Sequence, residues 1–106
     1  MGQSLKSAQF LVDSRIAEAA RGDAAACFEL GIAYSTGTGD VAIDMIEAHK
    51  WFNLAAMRGD LEAQRCRADV AEELTGREIA EAQRAARAFL SMHAESTGFA
   101  ERRYAA

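Results

Sequence analysis

The 106-residue chain contains no proline at all. Its β-branched residues are few and its alanines many. Alanine is the best helix former and β-branched residues favour strands, so this imbalance excludes a sheet-based fold and predicts an all-α chain. Basic residues are too sparse for a nucleic-acid binder: the formal net charge is -4, and Arg102-Arg103 is the densest basic spot. A phosphate-binding surface needs a cationic footprint, so no nucleic acid is expected as a partner. No apolar run approaches the ~20 residues that cross a bilayer, and no signal-peptide stretch opens the chain. No membrane association is expected, and the expected location is cytoplasmic.

Cysteine is scarce as well. Cys27 and Cys66 are the only two, far apart and without a C-x-x-C pattern. That fits reduced, core-type thiols. Together with His49 and His93 they could be counted as a zinc set, but none are spaced as paired ligands. No metal and no cofactor are implied.

What is present is a succession of helical periods. A first helix is expected from Ser7, as N-cap, to Arg21, with Ala8, Val12, Ile16 and Ala19 on its apolar stripe. Gly22 ends it and Asp23 caps a second helix over 24–35, with Ala26, Leu30, Ala33 and Tyr34 inward. Asp44 with Glu47 opens a third helix, whose stripe is Ala48, Trp51, Phe52, Ala55 and Ala56. Gly59 ends that helix and Asp60 caps a fourth, where Leu61, Gln64, Ala68, Ala71 and Leu74 share a face. Thr75 to Glu78 forms a capping box for a fifth, with Ile79, Ala82, Ala86, Phe89, Leu90 and His93 along one side. Residues 95–106 read as a tail or short helix.

Gly22-Asp23 returns as Gly59-Asp60, 37 residues on. Glu47-Ala48-x-Lys50 returns as Glu81-Ala82-x-Arg84, 34 residues on. Such self-similarity marks helical hairpins that stack because one alone cannot bury its apolar face. The domain therefore spans 1–94, with a full repeat at about 22–58 and a divergent, capping repeat at 59–94.

The first unit reads Ala26-x-x-x-Leu30-Gly31-x-x-Tyr34-x-x-Gly37-x-Gly39, then Val41-x-x-Asp44-x-x-Glu47-Ala48-x-x-Trp51-Phe52-x-x-Ala55-Ala56-x-x-Gly59. It resembles a Sel-1-like repeat, a relative of the tetratricopeptide repeat, in a form found in short bacterial proteins. It departs from that pattern by one residue, Asp40, before Val41. The resemblance implies a right-handed α/α solenoid fragment of about five helices.

Gly37-Thr38-Gly39-Asp40-Val41-Ala42 also spells G-x-G-x-x-A, the letters of a dinucleotide fingerprint. That motif needs a preceding strand and phosphate at a helix N-terminus. Here a helix precedes the glycines and Asp40 adds negative charge, so a turn is expected. Gly31, inside a helix, implies close approach of a partner helix. Trp51 and Phe52 are expected as core plugs over small residues. His49 is placed on the polar side of the third helix and His93 at the C-terminal end of the fifth. No nucleophile–base pair is visible, so no enzyme is expected.

The family's inward-groove positions carry over to Ala25, Phe28, Ile32 and Ser35, and in the second unit to Arg65 and Asp69. They imply a non-catalytic protein–protein interaction module or adaptor that takes a peptide or helix in an apolar groove. Alternatively, Phe10 or Leu11 of the first helix, the Phe99/Tyr104 tail, or a second copy in a homodimer fills that groove, making a self-associating structural module. A small-ligand or nucleotide-binding enzyme is the remaining reading.

Overall fold

The computed structural model describes residues 2–94, so the tail carrying Phe99 and Tyr104 lies outside the described residues. The chain is helical, in the order α1 (Gly2–Ala20), α2 (Ala24–Thr36), a 3-10 turn (Thr38–Asp40), α3 (Met45–Met57), α4 (Leu61–Ala71) and α5 (Gly76–Met92). Among the described residues there is no strand. The expected N-cap at Ser7 is overturned, because α1 already begins at Gly2 and Ser7 lies within it. Ser7 precedes a periodic stretch, but nothing in a polar N-terminal segment without proline or glycine after Gly2 stops a helix from extending backwards.

The repeated Gly-Asp pair builds the same turn twice. Gly22 and Gly59 hold φ of 101° and 99°, the left-handed side that suits glycine. Gly22 N–H donates to Ala19 O and Asp23 N–H to Glu18 O; Gly59 N–H donates to Ala56 O and Asp60 N–H to Ala55 O. This is a Schellman closure of the outgoing helix. In each copy the aspartate then caps the next helix, Asp23 accepting from Ala26 N–H and Asp60 from Ala63 N–H.

The close helix pairs are α1 with α2, α2 with α3, α3 with α4, and α3 with α5. Helix α3 is therefore the hub. Its Trp51, Phe52, Leu54, Ala48 and Ala55 are almost wholly buried, and one core cluster runs from Val12 to Leu90. Helix α5 lies against α3, where Phe89 meets Trp51 edge-on at 5.0 Å between ring centroids.

Two expectations about helix faces change. On α4 the buried positions are Ala63 and Val70, with Cys66 partly buried against the core, as is Leu74 just beyond the helix, while Leu61, Gln64 and Ala68 are exposed. The duplicated turn sets this phase: Ala63 stands to Asp60 as Ala26 stands to Asp23, leaving Leu61 at the exposed first position of the helix. On α3, His49 is buried rather than surface-facing. A helix flanked by three others has little polar side left.

Candidate functional site

The Gly37–Gly39 loop is a helix-ending turn. Gly37 takes φ 75° as the left-handed cap of α2, donating to Ala33 O, and Gly39 takes φ 69°. Asp44 N–H then donates to Tyr34 O at 2.9 Å, which ties the loop's far end back to α2. The Asp44 carboxylate accepts from Glu47 N–H. The reciprocal half of a capping box is missing, because the Glu47 carboxylate instead accepts from Trp51 Nε1–H at 3.0 Å and pairs with Lys50 at 3.4 Å. Burial, then the carboxylates of Glu47, Asp44 and Asp13, push the Tyr34 phenol above its ordinary value. Carboxylates thus gather beside this loop, a setting that repels phosphate.

Gly31 is where α2 and α3 touch. A Cβ there would sit 2.5 Å from Phe52 Cδ1. The close approach expected for Gly31 is present, and the ring of Phe52 fills the space a side chain would take.

The candidate partner-binding residues divide between two helices. Phe28 and Ile32 are half-buried on α2, packed at their base against the core. The Phe28 ring lies 5.7 Å from the Phe52 ring, tilted by 60°. Ser35 is half-buried and its hydroxyl donates to Ile32 O. Ala25, Arg65 and Asp69 are exposed. Phe10 is 69% exposed and Leu11 is exposed too, so neither is sequestered over Phe28 and Ile32.

Residues 24–60 match the family model for the Sel1 repeat. The chain carries a Sel1 repeat. The match takes in α2, the glycine loop, α3 and the Gly59-Asp60 turn, and stops before α4. No curated protein and no solved structure matches the chain. The boundary agrees with the packing: α2 and α3 form a close pair around Gly31, whereas α4 and α5 each lie against α3 instead of pairing closely with one another. Sel1 repeats generally mediate protein–protein interaction and are typically non-catalytic.

The polar contacts of Arg58 and Lys50 escaped the sequence reading, which already placed Cys27 and Cys66 as core-type thiols and His93 at the end of the fifth helix. Arg58, at the C-terminal cap of α3, donates through Nη1 to Ala19 O of α1 at 3.1 Å and to Cys27 Sγ of α2 at 3.0 Å. Burial pushes the Cys27 thiol up, and Arg58 opposes that rise. Burial, then nearby carboxylates led by Glu62, holds the Cys66 thiol up as well. Lys50 stands 4.5 Å over the Trp51 ring, and His93 packs against Phe89 at 4.6 Å. Among the described residues, no three His, Cys, Asp or Glu side chains gather as a metal-holding group. No described helix is long and apolar enough to cross a membrane.

Proposed function

We propose that this chain is a non-catalytic adaptor that binds a peptide or helix of another protein on the face carrying Phe28, Ile32 and Ser35, with Arg65 and Asp69 at its rim. The observation behind this reading is the half-exposure of Phe28 and Ile32. Both sit one turn apart on α2, off the stripe of Ala26 and Leu30 that serves the core. An amphipathic segment would lay its apolar residues against that pair and its polar residues toward the charged surface of α4. The Sel1 repeat at 24–60 supports the protein-binding class of the reading.

Paired variants test it. Phe28 leans on Phe52, so a charge there strains the fold as well as the surface. Ile32→Lys and the double change Arg65→Glu with Asp69→Lys avoid that contact. Each should keep the helical circular dichroism of the wild type and lose the proteins it retains in a pull-down. Retention of every partner by both variants would sink the assignment of this face. Loss of self-association instead, seen by sedimentation, would identify a second copy of the chain as the occupant.

A further inference from the structure

The Gly-Asp turn occurs twice, so the molecule contains two equivalent helix joints, α1 on α2 and α3 on α4, in a 37-residue register. In the first joint Val12 is buried, Leu30 is fully buried, and Ile16 packs against the core cluster to which both belong. Thirty-seven residues on, the matching positions are His49, Asn53 and Arg67. Apolar positions in the first joint are polar at the matching positions of the second.

The polar joint is closed but not fully satisfied. His49 is only 3% exposed, and its Nδ1 has no hydrogen-bond partner among the described residues. One turn along α3, Asn53 Oδ1 accepts from Arg67 Nη1 of α4 at 2.7 Å. That bond holds a guanidinium near enough for its charge to act on His49. The charge acting on the imidazole among the described residues is that of Arg67, a cation. On α3 itself, Glu47 and Lys50 are engaged with each other and with Trp51. On α4, the carboxylates of Glu62, Asp69 and Asp60 act at Cys66.

We propose that the α3–α4 joint is an acid-sensitive hinge, in which proton uptake by His49 loosens α4 from α3 while the apolar α1–α2 joint stays shut. A protonated imidazole there would be a buried cation under the influence of a second cation, with no carboxylate acting on it among the described residues. Burial, and then Arg67, hold the imidazole below its ordinary value of 6.5. The sign follows. With the joint closed His49 stays neutral, and with the joint open it takes a proton near 6.5. Above that pH the group leaves the equilibrium unchanged. Below it, opening takes up one proton and grows about tenfold per pH unit until the closed form also protonates.

Native-state hydrogen exchange on the full chain at pH 7.5, 6.5 and 5.5, corrected for intrinsic exchange, reads the two joints separately. Opening at α4 amides should rise by about twofold from 7.5 to 6.5 and by about fivefold more to 5.5, about tenfold over the whole range, while α2 amides stay level. His49→Gln should flatten the α4 response. Grafting the other joint's residues, His49→Val with Asn53→Ile and Arg67→Leu, should flatten it too. A level α4 response in the wild type, or α2 and α4 rising together, overturns the proposal. So does an α4 response that survives His49→Gln.

Discussion

Gly31 is a poor helix former in the middle of α2, and the ring of Phe52 explains why nothing larger stands there. Alanine would gain up to about 1 kcal/mol in helix propensity. It would also place a methyl group 2.5 Å from a ring atom that is itself locked in the core. Overpacking of this kind costs about 1–3 kcal/mol, so Gly31→Ala should destabilise the protein on balance in a denaturant titration. Arg58 is the other residue whose reach exceeds its helix. Arg58→Met keeps much of the aliphatic stem but removes the donor to Ala19 O and Cys27 Sγ. A loss of about 1–2 kcal/mol is expected in the same titration. The two residues were unequally visible in the sequence. A glycine inside a helix signals a close neighbour by itself, whereas an arginine beside a turn says nothing about a carbonyl 39 positions earlier. His49 was hidden for a third reason: periodicity gives the phase of a helix, not how many helices surround it.

At the level of elements, caps and turns were the legible part. Asp23, Asp44 and Asp60 each accept a backbone N–H at the start of a helix, and Thr75 with Glu78 completes a capping box. These are local chemistries with local signatures. The face of α4 was not legible, because Leu61 looks like the anchor of an apolar stripe and is 72% exposed. Comparing α4 with α2 through the repeat would have placed Ala63 and Val70 inward, since they match Ala26 and Ala33. Asp60→Ala should cost about 1 kcal/mol, as should Asp23→Ala, because each cap closes the same geometry. Thermal unfolding of the two single variants checks that equivalence; a gap much larger than the error would mean that the turns differ in ways the backbone does not reveal.

For the whole molecule, α3 ties the others together. Trp51 touches Phe89 of α5 and bonds to Glu47 within α3, and the buried cluster extends to α1 and α4. Trp51 emission and far-ultraviolet circular dichroism should therefore report one main transition with coincident midpoints in urea. Separate midpoints would divide the core into independent parts. The candidate binding face belongs to this scale as well, since it draws on both α2 and α4. Five helices among the described residues and the resemblance to a Sel1 repeat could be read from the sequence. That α5 lies along α3 instead of pairing closely with α4 could not, because that choice depends on which surface Phe89 finds, and it finds Trp51 of α3.

The duplicated Schellman turn also makes the chain spliceable. Asp23 and Asp60 share φ and ψ to within a few degrees, at -75°, 109° and -77°, 108°. A second copy of 24–60 inserted after Asp60 would enter and leave through junctions the fold already uses. Such insertions would lengthen the chain in whole 37-residue steps, and each added copy would bring its own Phe28 and Ile32, repeating the proposed contact face along a row without any new turn having to arise.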